Sequence, residues 1–441
     1  MGISRSCAPS RRRRVSNAGT DFARRQWLGA LAAAPLFALG ALASAQAPAG
    51  GTIKIGLSGP FTGGSAPMGL AMRNGVRLAV SELNFMGGLL GKPIELVERD
   101  DQANPEVGGR IAQELIEKER VLATIGIVNT GVGLTSIDHY QKARVPLMIA
   151  VSTGTALTRK FAPPAATENY VFRVSPTIEM EARALADELV RRGYREVAIL
   201  ADATPYGEAG KNDLEKSLAA RNIRITGIER FAIGTTDMEP LLARLRAGRP
   251  QALLVWGIGP EMAEIAKDRL AVGWPVPLYG GWTFSMANFI DGAGAAGEGA
   301  LMTQTFVQEG GLSNRNAFLL AYAQQTKETR ISSPMSAAQG YDGMRLLAAA
   351  IRQAEKADGA AVRAALENLR TPVGGVITTY NKPFTAQDHD AMSANMLVIG
   401  VVRGGRVGYA YADDARKGLV ARSKEGEARN NSGNSTRAAI P

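Results

Sequence analysis

Sulfur nucleophiles and imidazoles are almost missing from this chain: 441 residues contain one cysteine and two histidines. The cysteine, Cys7, lies in an arginine-rich leader. Without that leader no disulfide is possible, which suits an oxidising compartment while leaving stability independent of it. His139 follows Asp138 in a segment of helical spacing. Adjacent residues do not share a helix face, so the pair reads as surface rather than as a catalytic dyad. His389 stands between Asp388 and Asp390 among turn residues, and reads as a metal site or, more simply, as a solvated loop. There is no nucleophile elbow, no zinc spacing and no P-loop, and Gly257-Ile258-Gly259 lacks the third glycine of a dinucleotide fingerprint. No cofactor and no metal are implied. A hydrolase of small amides is the one enzyme reading left, with no motif behind it.

Long apolar runs are scarce as well. Residues 28–42 are apolar and alanine-rich, but shorter than the ~20 residues a spanning helix needs. They follow Arg11 to Arg14 and the run Arg24-Arg25-Gln26-Trp27-Leu28, and they end in Ala43-Ser44-Ala45, small residues suited to signal peptidase. Residues 1–45 are therefore expected to be a cleaved export signal. The arginine pair resembles a twin-arginine signal, and a general secretory signal is the competing reading. Gln46 follows, so no cysteine is placed for lipid attachment.

The body also lacks the basic charge that the total of +10 suggests. Residues 1–45 hold seven arginines against Asp21, a net +6. Residues 416–441 hold six basic side chains against Glu425 and Glu427, a net +4, which leaves residues 46–415 formally neutral. Nucleic-acid binding thereby loses its main support. The tail, 416–441, is polar and rich in Gly, Asn and Ser, and reads as disordered.

What the body does have is strand and helix patterns in alternation, in a chain long enough for two cores. Strand patterns fall at 53–57, 94–97, 121–128, 145–151 and 170–174, then at 196–201, 223–228, 252–256, 278–281 and 300–305. Helical patterns fall between them at 68–86, from Asn104-Pro105, from about Thr130, at 208–220 and from Pro260, with a long one at 335–355. Residues 374–380 and 396–402 read as a closing antiparallel pair. Ser175-Pro176 reads as a crossover between the two cores.

The stretch 123–155 draws the site together. Two aliphatic runs, 121–128 and 145–151, read as parallel strands covered on both faces. Each ends in a small, hydroxyl-bearing loop: Asn129-Thr130-Gly131 after the first, Ser152-Thr153-Gly154-Thr155 after the second. A helix begins at the first loop, and free N–H groups at a helix N-terminus favour anions. Ligands of open α/β sheets collect at the carboxyl ends of strands. The alternative is ordinary βα-loop chemistry, in which Ser, Thr and Gly are good turn residues.

The segments IKIGLSGPFTG, GLAMRNGVRLAVSELNFMGGLLGKPIELVERDDQ, FRVSPT, ATPYGEAG, ALLVWGIGPEM and PLYGGW, in this order, resemble the branched-chain amino acid-binding proteins, periplasmic receptors of ABC importers. The resemblance covers about residues 52–415. It implies an α/β fold of the type I periplasmic binding protein class, two Rossmann-like lobes joined by a three-segment hinge. Lobe 1 would be 52–173 with 305–373, and lobe 2 would be 174–304 with 374–415. It also implies a periplasmic monomer that closes on a small-molecule ligand. Its partners would be a separately encoded membrane permease and ATPase. A sensor of the same fold serving a signalling partner is the runner-up.

On the family pattern, Thr130, Ser152 and Thr153, with Thr155, match positions that hold the ligand carboxylate, and Tyr206 matches the aromatic cover. Met68 and Ile258 complete the expected lining, with Ile258-Gly259 standing where the family has a tyrosine. Amino-acid binders place a glutamate after GG to pair with the ammonium, whereas this chain has Trp282. Trp282 offers a cation–π face or is a packed core residue. Without a carboxylate there, an aromatic or branched aliphatic acid is expected in preference to an α-amino acid.

Overall fold

The structure of the protein, a computed structural model, describes residues 51–309 and 313–414. The export signal and the polar tail from 416 lie outside the described residues. Short aliphatic runs form the strands, and β3 (Ala123–Gly126), β4 (Leu147–Ile149) and β8 (Ala252–Trp256) are buried along their whole length. Strands covered on both faces need apolar side chains in both directions, which is why these segments are continuous rather than alternating.

Two sheets result. The first has the order β2-β1-β3-β4-β5 and is parallel throughout, with β1 at Ile53–Gly59, β2 at Ile94–Asp100 and β5 at Val171–Arg173. The second has the order β14-β13-β10-β9-β8-β6-β7, with β6 at Glu196–Asp202, β7 at Arg224–Phe231, β9 at Leu278–Gly280 and β10 at Leu301–Gln304. Strands β6 to β10 are parallel, while β13 (Val398–Arg403) and β14 (Arg406–Tyr409) join antiparallel. The expected pairing of 374–380 with 396–402 is not what forms. Val373–Gly374 (β11) pairs instead with Thr379–Tyr380 (β12), and β13 turns back through Gly404-Gly405, both at positive φ, into β14. A two-glycine turn of that kind favours the tight hairpin over a distant partner.

The chain passes from one sheet to the other and back. After β5 it enters the helix Ile178–Arg191, which packs on β10 and β13 of the second sheet. After β10 it returns, and the helix Pro334–Ala354 packs along Ala66–Phe85 beside the first sheet. Their backbones touch: a Cβ on Gly75 would sit 2.1 Å from the Ala337 carbonyl oxygen, and one on Gly340 would sit 2.5 Å from that of Met72. Among the described residues no helix is long and apolar enough to cross a membrane.

The segment around His389 corrects the solvated-loop reading. His389 is buried, stacks on Phe172 at 3.9 Å and bonds the Val171 carbonyl through Nδ1 at 2.9 Å. Arg173, with no exposed surface, donates to Asp390 Oδ1 at 2.8 Å, to the Gly154 carbonyl at 2.6 Å and to Thr158 Oγ1 at 2.8 Å. The AQDHD stretch therefore lies against β5 as an added strand bridge, held by a buried ion pair. His139 is not fully buried, and its neighbour Asp138 pairs with Lys160 at 2.7 Å.

Candidate functional site

The carboxyl ends of the two sheets face a common cleft of about 560 Å3. Ser65, Asn129 and Thr130 line it from the first sheet, and Tyr206, Ile258 and Glu261 from the second. On the first side, β3 runs through Asn129 into the helix Thr130–Ala143. Asn129 sits at the cap position, but its side chain does not cap the helix: Nδ2 donates to Ser65 Oγ at 3.1 Å, and Oδ1 is buried without a partner. The helix thus presents first-turn amides without a side-chain acceptor, where an anion is favoured. Thr130 Oγ1 and Ser152 Oγ lie 3.2 Å apart, so the two loops share one polar point.

Behind that point the second loop is pinned by its backbone. The Ser152 carbonyl accepts from Ser175 Oγ at 2.8 Å, and the Thr153 carbonyl accepts from the Ile178 amide at 2.8 Å. The Thr153 hydroxyl is left buried and without a partner. Thr155 is differently occupied: its hydroxyl donates to Asp213 Oδ2 at 3.1 Å and accepts from the Glu179 amide at 3.2 Å.

On the second side, Asp202 at the end of β6 organises two loops. Its Oδ1 accepts from the Thr204 amide at 2.9 Å and from the Thr204 hydroxyl at 2.5 Å, and its Oδ2 accepts from the Ile258 amide at 3.0 Å. Burial raises the carboxyl of Asp202, and these donors pull it back. Thr204 caps the helix Pro205–Ala219, which places Tyr206 over the cleft with its ring 5.8 Å from that of Trp256. The Tyr206 hydroxyl is buried without a partner, and burial together with Glu181 and Asp202 pushes it well above the usual phenol range.

Glu181 is the residue that sequence reasoning missed. It lies in the first turn of the helix Ile178–Arg191 and has no exposed surface. Its Oε2 accepts from Thr303 Oγ1 at 2.6 Å and from the Trp282 amide at 3.1 Å, while Oε1 has no partner. Burial prevails over the Thr303, Trp282 and Thr153 donors and pushes the carboxyl up to about 7. Thr153 is near enough to bias both Glu181 and Tyr206, yet it makes no well-formed hydrogen bond to either. Gly281 closes the group: a Cβ there would lie 3.1 Å from Tyr206 Oη and 3.3 Å from Glu181 Oε2.

Thr130, Tyr206 and Ile258 thus line the cleft, with Ser152 bonded directly to Thr130 and Thr153 beneath. Trp282 is buried against the core, does not line the cleft, and meets Glu181 through its backbone amide. Met68 has no exposed surface and packs in the same core cluster. The signal for Glu181 was its place on an apolar stripe, with Ile178, Ala182, Leu185 and Leu189 around it. Among the described residues no cluster of His, Cys, Asp and Glu is arranged to hold a metal ion.

Residues 52–406 match the model of a family described as periplasmic binding protein. A Leu/Ile/Val-binding protein homolog of Brucella abortus is 29% identical over 255 residues, covering 57% of this chain. The match spans 66% of that relative, just under two thirds of its length. Among solved structures, a leucine-binding protein of Thermotoga maritima superposes with a TM-score of 0.73 at 22% identity, covering 82% of this chain and 98% of its own. A solute-binding protein of an ABC transporter from R. palustris, in complex with benzoate, superposes with a TM-score of 0.71 at 23% identity, covering 82% and 96%. Likeness at that identity carries the fold.

Proposed function

This chain belongs to the periplasmic binding protein family and has its type I fold, and from that premise we propose that it captures a small carboxylate-bearing ligand between two closing lobes. The lobes are the halves built on the two sheets, and the cleft between them receives the ligand. The observation that carries the reading is the shared point of the two loops. Thr130 and Ser152 meet at 3.2 Å at a helix N-terminus whose cap residue is turned away. Two hydroxyls and first-turn amides at one place suit a carboxylate, through charge-assisted hydrogen bonds worth about 1.5–3 kcal/mol each.

The ligand is held and released, not converted, and is passed to a membrane permease and its ATPase from the periplasm. An aromatic or branched aliphatic acid is favoured over an α-amino acid, because Trp282 stands where amino-acid binders have a glutamate, and a solute-binding protein of this fold is in complex with benzoate. A thermal-shift screen of small carboxylates against their carboxamides tests the proposal. At 100 times its Kd, a bound carboxylate should stabilise the mature chain by about 2.7 kcal/mol, and its carboxamide should not. Carboxamides that bind as well as the acids would remove the anion site.

A further inference from the structure

We propose that Ile233 makes the cleft select its ligand by length, covering the far, apolar end of a monocarboxylate held at Thr130 and Ser152. The assignment rests on the carboxylate reading above. Ile233 is 58% exposed and lines the cleft. The other large apolar side chains exposed among the described residues, Phe85 and Leu320 for instance, are not in that lining, and scattered exposed hydrophobics of their kind are ordinary. Ile233 stands at the tip of a turn, where Gly, Asn, Asp and Ser are the usual residues. The turn itself is firmly tied. Thr235 donates to the Ala232 carbonyl from its amide at 3.1 Å and from its hydroxyl at 2.7 Å. Gly234 has a φ of +88°, and its amide donates to Glu261 Oε1 at 2.6 Å. Glu261 is buried and belongs to the cleft wall, so it fixes the turn that carries the isoleucine.

The rest of the mouth has the same character. Pro105 on the side of the first sheet, and Pro205 and Pro260 on the side of the second, are exposed and line the cleft with Ile233. The two sides come close there. A Cβ on Gly131 would lie 3.2 Å from Pro105 Cγ and 3.5 Å from Pro205 Cγ, and one on Gly64 would lie 3.8 Å from Pro260 Cδ. No lysine or arginine is among the residues lining the cleft. A second carboxylate at the far end would therefore find no cation, whereas an alkyl or aryl tail finds proline rings and an isoleucine to cover. The cleft of about 560 Å3 also lies within the roughly 300–1,000 Å3 of pockets that take drug-sized ligands.

Calorimetry of the mature chain with two matched pairs tests this: benzoate against 4-butylbenzoate, and 3-methylbutanoate against 7-methyloctanoate. A fully covered methylene is worth roughly fourfold in affinity. In at least one pair the long acid should therefore bind about 30-fold tighter than the short one, less than the full sum because the mouth is partly open. Ile233→Ala should cost that long acid about tenfold and leave its short partner within about twofold. Ile233 is exposed, so this variant should melt as the parent does. Glu261→Ala, which frees the Gly234 amide, should shrink the long-to-short ratio, and Glu261→Gln, which keeps an acceptor, should retain it. Short acids that bind as tightly as long ones overturn the assignment. So does a long acid indifferent to Ile233→Ala, or an equal loss in both members of a pair. Thr130→Ala separates the two readings, since it should weaken both members of a pair equally. If it does so while Ile233→Ala changes nothing, the anion end stands and length selection alone falls. Binding by none of the four acids removes both.

Discussion

The helix Ile178–Arg191 buries two glutamates about two turns apart and surrounds them in opposite ways. Glu188 is met by Arg191, by Arg192 Nε at 2.6 Å and by the Tyr411 hydroxyl at 2.7 Å, so both of its oxygens are engaged. Glu181, in the first turn, has neutral donors on one oxygen and no partner on the other. The same contrast separates the Arg173–Asp390 pair, which ties the AQDHD segment to β5, from the open hydroxyls of Thr153 and Tyr206. Burial alone therefore does not mark a ligand site.

The strongest way to break the comparison is at the paired end. Asp390→Ala leaves Arg173 buried beside only the Gly154 carbonyl and the Thr158 hydroxyl. It should lower unfolding free energy by about 3–5 kcal/mol, the cost of orphaning one member of a buried pair, as read by denaturant titration. Glu188→Gln should come next, with a loss of about 1–2 kcal/mol, since its arginines are partly solvated. Ligand affinity should be unchanged.

Glu181→Gln should act in the opposite direction. The amide keeps an acceptor for Thr303 and Trp282 and removes an unpaired charge, so the free protein should melt about 2–4 °C higher near pH 8. The pH slope rests on the same carboxyl. Glu181 sits near 7 in the folded protein against ~4.3 when unfolded, so the folded state binds the proton more tightly. Its stabilising contribution is complete below ~4.3 and is lost as pH rises to about 7. The melting temperature of the free protein should therefore fall between pH 5 and 7 and then level. Glu181→Gln should flatten part of that slope, leaving the share of Asp101 and Asp342, both raised to about 6 by burial.

The strands and the hydroxyl-bearing loops that follow them were legible because their physics is local. A strand covered on both faces must be continuously apolar, and a loop of Thr, Ser and Gly after it marks the strand end. Glu181 was not legible in the same way. Thr177 caps its helix, and acidic residues at 179 and 181 in the first turn are what the helix dipole alone would favour. Only the packing of that helix on β10 turned Glu181 inward. Of the two readings of Trp282, burial favours the core one: its side chain joins the core, while its backbone amide meets the acid. The AQDHD turn was misjudged because composition reports polarity and not the neighbouring strand.

A crystal structure of the protein with the tightest ligand from the screen tests the central claim most directly. The ligand should lie in the cleft with a carboxylate oxygen about 2.7–3.1 Å from Thr130 Oγ1 or Ser152 Oγ. A carboxylate turned toward the second sheet or into solvent, with the hydroxyls of Thr130 and Ser152 left to each other, would contradict the account.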